Sequence, residues 1–207
     1  AASDVYKRQD KEVANSYITV TDRTSLRKQE ILAEPSVNGL NWRVVSRYPL
    51  NWASHRGWYV DLLQPPGGTA QGERVVSVPL LRNSRAIFTT LIPSSLPCDA
   101  GGTGWIVEVD MVTGGQINDA VLDVNQDSQF SDADKVTVSV DVDGDGVAES
   151  VSHVSGVQST VGIINTPAVI PAGPIEYKYS GGSTGRVMRI IEKGNNDAGR
   201  QSWRQLR

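Results

Sequence analysis

Residues 72–94 read GERVVSVPLLRNSRAIFTTLIPS, and residues 101–117 read GGTGWIVEVDMVTGGQI. The first stretch holds two runs rich in β-branched and apolar residues, separated by Arg82-Asn83-Ser84. That pattern predicts a strand, a tight turn and a second strand. The second stretch supplies a third strand, ending in Asp110 and a Thr-Gly-Gly turn. Within it Trp105, Val107 and Val109 alternate with Ile106, Glu108 and Asp110, as a pleated strand with two distinct faces requires. Three strands handed on through hairpins form the inner part of a propeller blade.

Working outward, the same texture fills the chain. SYITVTD, WRVVSR, GWYVDL, KVTVSVDVD, GVAESVSHV and GRVMRIIE read as further strands. Pro65-Pro66-Gly67-Gly68, Gly101-Gly102, Gly114-Gly115 and Gly181-Gly182 punctuate them. Residues 22–34, DRTSLRKQEILAE, read as the one helix, although Leu26, Ile31 and Leu32 are poorly spaced for it. Short strands at this spacing mean an all-β fold. A chain of 207 residues holds only a few blades, too few to close a ring of about four to eight. The expectation is a partial β-propeller whose N-terminal part is missing. Residues 1–10, AASDVYKRQD, share no pattern with the rest and read as a non-native leader; the domain is taken to run over 11–207.

Charge is unevenly spread. The chain carries −3 overall, which argues against a protein built to bind nucleic acid. Residues 119–149 hold nine acids against one base, Lys135, so the remainder is positive. Such a concentration asks for a cation, because neighbouring carboxylates repel until something neutralises them. No run of 18 apolar residues exists, so no membrane-spanning helix is encoded. Cys98 is the only cysteine, which leaves it as a small buried hydrophobe or as half of a disulfide with another chain segment. His55 and His153 sit in contexts without catalytic pattern.

Inside the acidic region, residues 123–134 read DVNQDSQFSDAD. A calcium loop places oxygen ligands at positions 1, 3, 5, 7, 9 and 12. Here these are Asp123, Asn125, Asp127, the Gln129 carbonyl, Ser131 and Asp134, with Phe130 expected to anchor the loop to the core. Position 6 is Ser128 in place of glycine, which predicts a strained backbone there. Position 12 is an aspartate, shorter than the usual glutamate. Both point to modest affinity, in the extracellular range of ~10⁻⁴ to 10⁻³ M or somewhat tighter. A second candidate follows in DVDGDGVAE, residues 141–149. Asp141, Asp143 and Asp145 hold positions 1, 3 and 5, Gly146 the turn, Val147 the carbonyl position and Glu149 position 9. For each loop the metal-free alternative is an acidic turn. The first loop runs into KVTVSV, a strand pattern, so an ion would brace a β-hairpin instead of moving helices.

At this point the residues resemble a known family. GERVVSVPLLRNSRAIFTTLIPSSLPCDAGGTGWIVEVDMVTGG, the DVNQD loop, SGVQSTVGIINTPAVI at 155–170 and the terminal GRQSWRQLR are similar to the C-terminal part of PilY-type type IV pilus biogenesis proteins. The resemblance spans about residues 16–207. It implies the later blades of a modified β-propeller with a calcium-binding loop. It further implies a non-enzymatic role in pilus extension, retraction, twitching motility and surface adhesion. Implied partners are pilins and the assembly and retraction machinery, at the cell surface, on the pilus or at the outer membrane. Host or abiotic surfaces would be met through an N-terminal region absent here. Asp123, Asn125 and Asp127 match the family's first three ligands, and Gln129 its carbonyl position. The family often has an acid at position 9, where this chain has Ser131, so the closing ligand stays open among Ser131, Asp132 and Asp134. The 141–146 run reads as an insertion to which the resemblance assigns no role.

Two other readings remain. A quinoprotein-dehydrogenase-like enzyme on a propeller would also use calcium, and would need cofactor-stacking tryptophans. The five tryptophans, 42, 52, 58, 105 and 203, are better explained as strand-face packing. A carbohydrate-binding module would use exposed tryptophans, with NWASHRGWY at 51–59 as its best segment.

Overall fold

The computed structural model describes residues 20, 22–95 and 101–195. The leader, most of SYITVTD, Cys98, Trp203 and the terminal GRQSWRQLR lie outside the described residues. Five strands come first: β1 (Arg27–Gln29), β2 (Ile31–Ala33), β3 (Ser36–Val37), β4 (Leu40–Val45) and β5 (Trp58–Val60). The opening stretch supplies β6 (Arg74–Val75), β7 (Leu80–Arg82), β8 (Arg85–Pro93), β9 (Gly102–Thr103) and β10 (Trp105–Asp110). A 3₁₀ turn at Asp132–Asp134 precedes β11 (Val136–Val140), β12 (Glu149–Ser152) and β13 (Gly156–Gln158). The chain then forms β14 (Ala168–Ala172), β15 (Ile175–Gly181) and β16 (Val187–Lys193).

The decisive stretch folds as expected. β7 and β8 pair antiparallel from Arg82↔Arg85 onward, and β8 pairs with β10. Asn83 and Ser84 both adopt positive φ, 51° and 59°. That is the two-residue hairpin whose twist matches the strands it joins. Around this unit lies a sheet in the order β2-β4-β13-β10-β8-β6, with β3 added to β4, and β7 and β9 to β8. β14-β15-β16 form a three-stranded meander, β11-β12 a hairpin, and β1 pairs with β5 in parallel. None of these sheets closes on itself among the described residues.

Both faces of the large sheet are covered, which is why its strands are nearly continuous in apolar residues. On one side Trp105, Val107 and Val109 pack with Phe88, Val45, Trp58 and Val60. On the other, Trp42, Val44, Ile87, Ile106 and Val157 meet Met188 and Ile190 of β16. Leu122, Val124, Val136 and Val142, from the acidic region, complete this second core.

The expected helix at 22–34 is instead two strands. β1 pairs with β5, and β2 pairs with β4 across an irregular register. The reason lies at Gln29, which is fully buried and bonds the carbonyls of Tyr48 and Thr113 while accepting from Ser46 Oγ. These long-range contacts outweigh the weak local helix preference. β13, β14 and β15 are further strands that local pattern did not single out.

Candidate metal centre

Both acidic loops belong to the β11–β12 hairpin: one leads into β11 and the other joins β11 to β12. In each, the aspartate at position 1 accepts the backbone N–H of position 6: Ser128 to Asp123 at 2.9 Å, and Gly146 to Asp141 at 2.8 Å. Position 3 accepts from position 5, through Asn125 and Asp143. Position 5 accepts from position 7, through Asp127 and Asp145. Positions 4 and 6 of both loops have positive φ: Gln126 65° and Ser128 61°, Gly144 82° and Gly146 89°. Ser128 thus takes the backbone that glycine usually takes, and bears the expected strain. Each loop is therefore wound so that the side chains at positions 1, 3 and 5 fold inward.

Position 2 is the anchor in both cases. Val124 and Val142 are buried in the same core, whereas Phe130 is only half-buried and belongs to neither core. The expectation that Phe130 holds the first loop is therefore corrected. The readable signal is a valine directly after the aspartate at position 1: DVN at 123–125 and DVD at 141–143 share it.

The loops differ in how they close. Asp134, almost fully buried, spends both oxygens on the loop's own backbone, accepting from Val124, Asn125 and Ser131 N–H. Ser131 caps the 3₁₀ turn and accepts from Ala133 N–H. Asp132 points outward and pairs with Lys135 at 2.8 Å; the Lys135 hydrogen bond lowers its pKa. All three closing candidates of the first loop thus already have backbone or side-chain partners. In the second loop, Asp141, Asp143 and Asp145 each bring one carboxylate oxygen within 4.8 Å of the others. Glu149 Oε2 accepts from Val142 N–H at 2.7 Å. These are hard oxygen donors, the set that suits calcium or magnesium and not a thiolate- or imidazole-seeking metal. Neighbouring groups feel this charge. Tyr48 lies beside Gly144, and its phenol pKa is raised by burial first and then by Glu30 and Asp141. Arg47 approaches Asp143 at 3.5 Å.

The residues of the alternative readings are dispersed. Trp58 is buried against Gly114, where a Cβ would lie 2.0 Å from the indole, and its Nε1 donates to Met111 O. Trp42 and Trp105 are core residues, and Arg43 stacks 4.1 Å from the Trp105 ring. Trp52 is half-exposed on its own loop. Three of these four described tryptophans pack in the protein interior. Sequence reading also passed over a buried ionic joint built from Arg85, Glu108, Glu176, Lys178 and Glu192. Its members are scattered over four strands, so no local motif announces it.

No protein-family model matches the chain. A type IV pilus biogenesis factor PilY1 homolog of Xylella fastidiosa is 30% identical over 198 residues, covering 91% of this chain and 13% of the relative. PilY1 of Pseudomonas aeruginosa is 25% identical over 175 residues, covering 79% of this chain and again 13% of the relative. This chain therefore spans about an eighth of the length of these curated relatives. The crystal structure of the P. aeruginosa PilY1 C-terminal domain superimposes with a TM-score of 0.59 at 19% identity, over 82% of this chain and 32% of that one. The chain is a homologue of the PilY1 type IV pilus biogenesis factors and has the all-β fold of their C-terminal domain.

Proposed function

We propose that this chain is a calcium-binding structural and regulatory part of a type IV pilus biogenesis factor, acting by binding and not by catalysis. The observation that carries the calcium reading is the convergence of Asp141, Asp143 and Asp145 on a hairpin turn. The matching ladder through Asp123, Asn125 and Asp127 makes residues 123–134 a second site of the same design, with Gln129 and Ser131 as further donors. Val147 and Glu149 extend the first set. Ions here brace β11 and β12 from both ends, because they neutralise carboxylates that otherwise repel. A braced hairpin presents a fixed surface to pilins or to the assembly and retraction machinery, at the pilus or cell surface. Homology to PilY1 factors supports that setting.

The test is thermal unfolding with calcium and with EGTA. Calcium raises the melting temperature; Asp145→Ala removes the part owed to the second loop and Asp127→Ala the part owed to the first. Equal melting of the wild type in both conditions sinks the calcium reading. Loss of pilus assembly in a strain carrying Asp127→Ala and Asp145→Ala, with the protein still folded, tests the regulatory role.

A further inference from the structure

The inward face of the three-stranded sheet mixes apolar and charged residues: Met188 and Ile190 enter the core, and beside them lies a charged cluster. The sheet's inward residues include Glu176, Lys178 and Glu192, all essentially inaccessible, while Tyr177, Tyr179 and Val187 lie on the outward side. Glu176 and Glu192 stand directly opposite each other on β15 and β16, an arrangement in which like charges repel. Glu108 of β10 enters from the large sheet, and Lys178 Nζ donates to both Glu108 and Glu192. Arg85 of β8 lies 3.1 Å from Glu108, 3.4 Å from Glu192 and 3.8 Å from Glu176. Arg82 of β7 grips Glu176 with two hydrogen bonds, and Asn83 adds a third. Leu122, which bridges to Glu192 from the remaining side, brings no charge.

Three carboxyl groups thus face three cations: Arg82, one-third exposed to water, is spent on Glu176, while the enclosed Lys178 and Arg85 are shared between Glu108 and Glu192. Two observations point to a proton on this last pair. Lys178 Nζ and Arg85 Nη1 each contact both Glu108 and Glu192, which draws the two carboxyl groups together in a buried site where a pair of ionised carboxylates is disfavoured. Glu192 Oε1 has no hydrogen-bond partner, which for an ionised buried oxygen is costly. A single proton resolves both.

We propose that Glu108 and Glu192 share one bound proton at the joint between the large sheet and the three-stranded sheet, and that the joint loosens when rising pH removes this proton. Glu192 is its holder: burial raises its pKa well above the ordinary carboxyl value, and the charge of Glu108 raises it further. For Glu108 burial acts upward too, but Lys178 and Arg85 outweigh it and hold the group down, to about 2. The stability supplied by the protonated Glu192 is full below the ordinary glutamate pKa and is lost as pH rises through the raised one.

Carbon-13 NMR of the wild-type chain, labelled at glutamate carboxyl carbons, reads the proton directly. One glutamate keeps its protonated shift far above the usual titration range, and that signal disappears in Glu192→Gln. If every glutamate titrates in the ordinary acidic range, the proposal is wrong. Melting temperature gives the second measurement. It falls by several degrees as pH rises above the ordinary glutamate range in the wild type and by clearly less in Glu192→Gln, whose amide donates to Glu108 in the proton's place. Superimposable profiles overturn the role assigned to the joint.

Discussion

The loops at 123–134 and 141–149 share a backbone and differ in what their acids do. Both wind through positive φ at positions 4 and 6, and both plant a valine from position 2 in one core. In the first, the last acid is buried and consumed by three backbone N–H groups. In the second, three carboxylates are left facing one another. An acid in such a loop therefore has two employments, capping the backbone or holding an ion, and the spacing of acids along the chain does not tell them apart. The first loop is largely self-supporting; the second keeps three converging carboxylates without such a closing cap.

Asp134→Ala gives the sharpest way to break this contrast. Its removal strands three N–H groups, two of them at or near the core, at about 1–3 kcal/mol for each buried group left unsatisfied. A loss of roughly 3 kcal/mol or more is expected by urea denaturation, and it is expected in EGTA as well as in calcium. A loss that appears only with calcium would make Asp134 a ligand and merge the two loops into one type. Next in size is calcium itself: at 100-fold excess over the dissociation constant it adds ~2.7 kcal/mol per site. Differential scanning calorimetry of Asp145→Ala and Asp127→Ala divides that gain, with the larger share expected from the second loop. Equal shares would erase the difference.

Backbone substitutions should move the loops in opposite directions. Ser128→Gly relieves a positive φ and stabilises by up to about 1 kcal/mol. Gly146→Ala, with open space around the new methyl group, costs about 1 kcal/mol through backbone strain alone. The same sign for both, read from urea midpoints, would mean that the shared winding is not what holds them. The smallest effect is expected at Arg47. Removing this half-exposed cation beside Asp143 frees the second loop from a competitor, and Arg47→Ala should tighten calcium by roughly two- to five-fold in titration calorimetry. An unchanged affinity would show that the arginine and the ion do not compete.

Much of this was legible in the chain. The β7–β8–β10 unit follows from alternation and a short turn, and the loops follow from the oxygen spacing. The helix expected over 22–34 failed because Gln29 is spent on the carbonyls of Tyr48 and Thr113, which lie far off in sequence. Phe130 was the wrong anchor because aromatic size suggests burial, while the winding of the loop turns position 2 inward. The ionic joint was invisible for a related reason. Glu108 and Glu192 stand 84 positions apart, and each looks like an ordinary polar residue on an alternating strand.

The sequence by itself determined the all-β character, the hairpins and the acidic loops, because strand alternation, turn chemistry and ligand spacing are local, and its resemblance to PilY-type proteins carried the family relationship. Only the tertiary structure decided that β13 enters between β4 and β10, which carboxylates converge and which are capped, and that the inner face of the last sheet carries a buried charged cluster. Those outcomes depend on neighbours distant in the chain, and on how little room a buried charge leaves for a second one.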